Sequence, residues 1–350
     1  MGAAPKSNLP LTLAGAYTAL VIYASLYPFS GWHDSGAPVV DFLGAAWPRW
    51  YTTFDLVTNA LGYLPLGFLC VPALQPRLGR IAAVIAAALF CAGLSFGLET
   101  AQNFLPSRVP SNLDLGSNSI GGLIGAALGA WGGKSLLDGG RLHALRGHSF
   151  VGGGAGDWGL LLLGLWLLTQ LNPETLLFGN GNVRPLLELD APLPYTAGRF
   201  ADIEAATVCA QTLAIALIAG SLCRVARRRW AIGLIGGALA IKTGALMVMM
   251  NGDQGLAWAT PGSLTGLGIG LILGFALSFL PGRLQQACAA LALLAGTALV
   301  NLMPDNPYLL NTLQVWDPGH FLNFNGLTRL TSQFWPFLAL PWLMLLRPEK

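Results

Sequence analysis

Three acid–amide pairs in the first third of the 350-residue chain are spaced to share helix faces. In each pair a carboxamide follows a carboxylate three or four positions later, and such residues are neighbours on a helix surface. One arginine lies between the second and third pairs. These residues are Asp55 with Asn59, Glu99 with Gln102, Asp114 with Asn118, and Arg108.

Several kinds of chemistry suit this set of side chains. Carboxylates and amides can bind sugar hydroxyls, and a guanidinium can bind a phosphate or two carboxylates. Two carboxylates could also act as a general acid and base, or hold a divalent cation through oxygen. The sequence leaves recognition and catalysis open at this point.

The composition determines what kind of scaffold must position these residues. Hydrophobic residues make up 54% of the chain and charged residues only 10%, against roughly 25% charged in ordinary soluble domains. The mean hydropathy is +0.58. These values exclude a soluble enzyme, a disordered chain and a nucleic-acid-binding protein, because all three carry more charged residues.

The apolar runs predict an all-α, polytopic membrane protein with about ten transmembrane helices, because each crossing needs about 20 apolar residues. Backbone groups in lipid must be hydrogen-bonded internally, so each span should be a helix. The predicted spans are 10–28, 54–74, 81–102, 118–137, 157–172, 202–223, 231–250, 261–280, 284–303 and 326–346.

The distribution of lysine and arginine predicts the orientation. One set of connecting segments holds 13 basic residues and the alternate set holds 5, with Lys242 inside a span. Basic residues accumulate on the cytoplasmic side, so both termini should be cytoplasmic. The three acid–amide pairs and Arg108 then lie at the outer side.

Two glycine ladders predict an internal repeat. Gly121 begins one ladder and Gly262 begins the other, 141 positions later, and each continues at every fourth residue. Such ladders let helices pack closely, which is the favoured explanation of the glycines themselves. We expect a parallel, diverged four-helix repeat followed by a terminal helix pair, with boundaries at 1–150, 151–282 and 283–350.

A purely structural interpretation of the polar residues also exists. Asp55 and Asp114 could cap helices, while Asn59 and Asn118 hold helices together. Three pairs and an arginine on one side favour a site over this alternative. Glu99 lies within a span, where a carboxylate needs a partner, and Arg108 is the expected one.

The same residues resemble the VanZ-like family of membrane proteins. The matching elements are Asp55-x-x-x-Asn59 with Pro65-x-Gly67, Glu99-x-x-Gln102, Arg108, and Asp114-x-x-x-Asn118-x-x-Gly121. The resemblance covers about residues 50–135 and includes the first span. The family is named for a protein associated with teicoplanin resistance, and its biochemistry is mostly unknown. The resemblance implies a multi-pass protein of the bacterial plasma (inner) membrane.

Other candidate sites are weaker. The histidines and the five cysteines lack metal-ligand spacing, and there is no phosphate-binding loop or nucleophile elbow. We therefore assign no metal, and the cofactor stays unknown. Arg227, Arg228 and Arg229 are expected to contact anionic lipid head groups. Lys242 could snorkel, pair with a carboxylate, or have a function.

Three functions fit these observations. The favoured one is binding of a polar or lipid-linked head group of the cell envelope, such as an envelope precursor or a glycopeptide antibiotic, at the outward-facing residues. The alternative is an enzyme that acts on a lipid-linked envelope substrate. A transporter ranks last, because its sites should lie near the midplane of the membrane. The expected partners are membrane lipids and this ligand, and no nucleic acid.

Overall fold

The computed structural model describes residues 9–34, 36, 38–47, 53–133, 141–249, 254–305 and 322–346. Within these ranges all regular structure is helical, apart from an isolated antiparallel bridge between Phe150 and Cys223. The predicted all-α class is confirmed. Several basic residues counted for the orientation, namely Lys6, Arg49, Lys134, Arg347 and Lys350, lie outside the described residues, as does His320.

The helices follow the apolar runs of the sequence. A short 3₁₀ helix over Asp41–Leu43 lies between the first two, and a π-helical turn over residues 129–133 extends the fourth. The α-helices are α1 (Leu9–Leu26), α2 (Thr53–Leu78), α3 (Arg80–Gln102), α4 (Asn112–Leu128), α5 (Arg141–Ser149), α6 (Gly153–Thr169), α7 (Ala197–Leu222), α8 (Arg227–Met249), α9 (Pro261–Leu277), α10 (Gly282–Leu302) and α11 (Leu322–Leu345).

Six helices in the described part of the chain are long and apolar enough to cross a membrane, by length and composition. They are α1, α2, α3, α7, α8 and α10. The helices α6 and α9 are apolar but shorter. This is the pattern of a multi-pass membrane protein. A helix overlaps each of the ten predicted spans, but ten crossings and the cytoplasmic termini stay predictions.

Side-chain caps explain why two helices begin earlier than predicted. The hydroxyl of Ser111 accepts hydrogen bonds from the backbone N–H groups of Leu113 and Asp114, so α4 begins at Asn112 and not at 118. The hydroxyl of Thr196 caps α7 in the same way. Each cap satisfies backbone donors that the first helical turn leaves without partners. The helix α5 was not predicted.

The chain packs into two compact units. Unit 1 comprises Met1–Gly147 with His320–Leu327, and unit 2 comprises His148–Gly319 with Thr328–Lys350. Each has its own apolar core. Buried core residues include Tyr63, Leu66 and Cys91 in unit 1. In unit 2 they include Trp166, Ile215 and Trp335. The domain boundaries predicted from the repeat stay predictions.

The first glycine ladder packs α4 directly on the backbone of α2. A Cβ at Gly121 would collide with the carbonyl oxygen of Ala60, and one at Gly125 with that of Leu64. A Cβ at Gly129 would lie 2.6 Å from the carbonyl oxygen of Phe68. Only glycine allows this approach, so the expected packing role is confirmed.

The second ladder packs α9 on α7 in the same register. Its contacts are Gly262 with Ala201, Gly266 with Ala205, and Gly270 with Cys209. Each residue in these pairs lies 141 positions after its counterpart in the α2–α4 contact. Equal offsets on both helices are what a parallel repeat requires, and they support that prediction.

Candidate functional site

The predicted site residues come from three helix ends that chain order brings together. The helices α2 and α3 are joined by Gly79 alone and run in opposite directions, so α2 begins where α3 ends. Nine residues connect the end of α3 to the beginning of α4, which lies at the same end of unit 1. The three acid–amide pairs therefore lie at one end of the bundle.

The first and third pairs meet across α2 and α4. The side-chain amide of Asn59 donates a 2.8 Å hydrogen bond to Asp114 Oδ1. Asp55, one turn before Asn59, is close enough to Asp114 for their charges to interact. Both aspartates are half-buried. The amide thus supports one carboxylate, while a second carboxylate of like charge lies beside it.

Glu99 holds the loop between α3 and α4. Its side chain is only 4% exposed, and its Oε2 accepts a 2.8 Å hydrogen bond from the backbone N–H of Ser111. Ser111 is the residue whose hydroxyl caps α4. A buried carboxylate is costly unless it is hydrogen-bonded, so this bond fixes the beginning of α4 against the end of α3.

Asn118 continues the polar contacts into the core of unit 1. Its side-chain amide donates a 3.0 Å hydrogen bond to the hydroxyl of Ser95 on α3. Ser95 also lies close to the side chain of Tyr63 of α2, and all three side chains are buried. Neither Ser95 nor Tyr63 was predicted from the sequence. Their spacing could have indicated them, because Ser95 precedes Glu99 by four residues and Tyr63 follows Asn59 by four, so each shares a helix face with a predicted site residue.

Gln102 and Arg108 bind the end of α1. Gln102 Nε2 donates to the carbonyl oxygen of Ser25 at 3.0 Å. Arg108 Nε and Nη2 donate to the carbonyl oxygen of Tyr27 at 3.1 and 2.5 Å. The Nη2 group also lies 3.4 Å from the carbonyl oxygen of Ala24. Together these donors satisfy carbonyl groups that the last turn of a helix leaves without partners.

The structure adds backbone partners to the role expected for Arg108. Its hydrogen bonds named above reach the carbonyl groups at the end of α1. Glu99 acts on it electrostatically: burial lowers the pKa of the Arg108 guanidinium, and the Glu99 charge raises it. Sequence alone did not show that α1 ends beside this loop.

The segment between α1 and α2 packs over the same end of the bundle. The side-chain amide of Asn103 donates to the carbonyl oxygen of Val39 at 2.9 Å, and that of Asn112 donates to the carbonyl of Ala45 at 2.8 Å. Phe42, which is buried, packs against Phe96 of α3 with ring centroids 6.3 Å apart. The site is therefore built from the helices α1 to α4 of unit 1 and a covering segment.

A metal ion has no evident ligand set in the described part of the chain. No group of three or more histidine, cysteine, aspartate or glutamate side chains there could hold one. Asp55, Glu99 and Asp114 interact electrostatically in pairs but do not form such a group.

Unit 1 consists of apolar helices that meet at a buried polar cluster, and this is the architecture of a multi-pass membrane protein. Residues 10–132 match the sequence profile of the VanZ/LLP1 family, so this part of the chain is similar to the VanZ-like family. The match covers the predicted 50–135 resemblance almost entirely and includes the first span. No curated protein and no solved structure matches the chain.

Proposed function

We propose that unit 1 binds a polar or lipid-linked head group through Asp55, Asn59, Glu99, Gln102, Arg108, Asp114 and Asn118. The observation that carries this proposal is the arrangement of the three carboxylates. Asn59, one turn after Asp55, donates to Asp114 at 2.8 Å, and Asp114 interacts electrostatically with both Asp55 and Glu99. Acceptor atoms are concentrated here, so the site suits a ligand that donates hydrogen bonds.

The members of the cluster have different parts in this proposal. Asp55, Asn59 and Asp114 are half-buried and can contact a ligand, whereas Glu99 and Asn118 are buried and hold α3 and α4 in place. Hydroxyl or amino groups of a head group would bind the aspartates. An envelope precursor or a glycopeptide such as teicoplanin offers such groups. The distribution of basic residues supports an outward-facing site, and the proposed location is the outer face of a bacterial plasma membrane.

Mass spectrometry of co-purifying lipids and glycans tests this proposal. We expect wild type to retain a ligand that Asp114→Asn and Glu99→Ala lose. The exposed Asp202 of unit 2 provides a control, because Asp202→Asn makes the same change of charge elsewhere. Thermal unfolding of each variant separates ligand loss from misfolding. Equal recovery of the ligand from all four folded proteins would contradict the proposal.

The closeness of Glu99 and Asp114 favours a second candidate, an enzyme acting on a lipid-linked envelope substrate. A buried and a half-buried carboxylate that interact can act as general acid and base. Turnover of such a substrate by purified protein, lost in Glu99→Gln, would establish it, and a chelator would show whether a cation takes part. Transport ranks third, because the cluster lies at the helix ends and transporter sites lie near the midplane.

A further inference from the structure

Unit 2 contains an apolar cleft bounded by α7, α8 and α9. Its volume is about 770 Å³, within the range of roughly 300–1,000 Å³ typical of small-molecule sites. The helix α7 forms its floor, and α8 and α9 form its walls. Side chains of these walls include Ile232, Ile235, Leu239, Leu271 and Phe275.

Arginines surround one end of this cleft, where α7 ends and α8 begins. Arg228 is held across the opening: its Nε donates to the hydroxyl of Ser278 at 2.9 Å, and its guanidinium lies 3.8 Å from the ring centroid of Phe279. Arg227 donates to the carbonyl oxygen of Cys223 at 2.8 Å. Arg224 and Arg229 are exposed beside them. The described residues that line the cleft include no acidic side chain.

We propose that this cleft binds one anionic phospholipid, with an acyl chain between α8 and α9 and the phosphate at Arg227 and Arg229. Guanidinium groups bind phosphate oxygens through paired hydrogen bonds. The arginines supply the charge that an anionic head group needs, and the apolar walls supply the surface that an acyl chain needs. A free phosphate would leave the apolar volume unfilled, so the lipid is the occupant that uses both parts.

Two glycines of α8 provide a matched test of the acyl-chain part. A Cβ at either Gly233 or Gly236 would meet no atom within 4 Å, so the backbone accepts a side chain at both positions. Gly236 lines the cleft and Gly233 does not. Leucine at 236 should therefore fill the cleft, whereas leucine at 233 should leave it open.

Native mass spectrometry of delipidated protein in mild detergent gives the measurement. We expect wild type and Gly233→Leu to bind one phosphatidylglycerol per chain, more tightly than phosphatidylcholine, and Gly236→Leu to lose this adduct. Equal binding by the two leucine variants would overturn the proposal. Competition by glycerol phosphate at the same concentration as phosphatidylglycerol would assign the arginines to a free anion, and would overturn it as well.

The arginine part is tested by Arg229→Ala, with Arg283→Ala as its control. Arg283 is exposed at the same end of unit 2 but does not line the cleft. We expect Arg229→Ala to weaken phosphatidylglycerol binding about fivefold, the usual contribution of one basic residue near an anionic lipid, and to leave phosphatidylcholine binding unchanged. An equal loss in both variants would show non-specific attraction and would contradict the site.

Discussion

In each unit a cationic side chain binds carbonyl groups at the C-terminal end of the first helix, but the cation differs. The comparison shows that a buried cation can have a purely structural role. In unit 1, Arg108 donates to the carbonyl oxygens of Tyr27 and Ala24 after α1. In unit 2, the buried Lys242 donates to the carbonyl oxygens of Asn172 and Thr175 after α6, at 2.6 and 2.7 Å. Both cations bind carbonyl groups at a helix C-terminus, where positive charge is favourable.

The contacts of Lys242 show how its buried charge is accommodated. Its amine also lies 3.2 Å from the hydroxyl of Thr175, so three acceptors match the three donors of an ammonium group. It neither snorkels nor forms an ion pair within 4 Å in the described residues. Its structural role is complete without a ligand, whereas the carboxylates of unit 1 keep acceptor atoms in half-buried positions.

A second parallel concerns the helix that carries each glycine ladder. In unit 1, Glu99 of α3 binds the backbone N–H of Ser111, the residue that caps α4. In unit 2, the buried Glu204 of α7 lies close to the side chain of Thr260, the residue that caps α9. Both units use a buried glutamate at this helix beginning, but they take it from different helices.

The acids and amides of the site have no such counterparts. Adding 141 to 59, 114 and 118 gives Phe200, Gly255 and Ala259. The proposed repeat therefore means that unit 2 keeps the backbone packing of unit 1 and lacks its polar cluster. Variants in both units can test the shared packing and the missing cluster separately.

The largest expected effect comes from filling the helix contacts. Gly125→Leu in α4 and Gly266→Leu in α9 place side chains against the backbones of Leu64 and Ala205. We expect each to cost about 3 kcal/mol or more of stability, as severe overpacking does, measured by thermal unfolding and folded yield. Gly116→Leu and Gly268→Leu, on the same two helices, meet open space and serve as controls. Unequal costs for the two ladder variants would weaken the comparison.

A smaller effect is expected from Lys242→Met. The variant leaves the carbonyl oxygens of Asn172 and Thr175 without the ammonium donor, which should cost about 2 kcal/mol. Arg229→Met removes an exposed cation from the same helix and should change stability by less than about 0.5 kcal/mol. Ligand recovery by unit 1 should be unchanged in both. Loss of the ligand in Lys242→Met would mean that Lys242 does more than hold the α6 end.

The smallest effect on stability, and the sharpest on function, is expected from the two glutamates. Glu99→Gln and Glu204→Gln each replace a charged acceptor by a neutral one, and each should cost about 1 kcal/mol. Only Glu99→Gln should reduce the ligand recovered with the protein, because only Glu99 lies beside Asp114. Equal ligand loss in both would show that the effect is structural.

The sequence predicted which helix ends meet better than it predicted their hydrogen bonds. Helical spacing and alternating topology indicated that Asn59 and Asp114 lie at the same end of the bundle, because both depend only on local periodicity and helix order. The hydrogen-bond donor to Glu99 could not be predicted, since it is a backbone N–H and nearly every residue carries one. The backbone partners of Arg108 were missed because they depend on where α1 ends in space.

The backbone contact between α2 and α4 has a consequence for how the site can move. Sliding α4 to its next equivalent position along α2 would require a shift of four residues, or about 6 Å along a helix, so the two helices behave as one rigid body. The helix α3 meets α4 through side chains, as Ser95 does with Asn118, and Gly93 and Gly97 leave open space beside it. The backbone frame of the site is therefore α2 with α4, and α3 joins it through side-chain bonds, including the bond of Glu99 to Ser111.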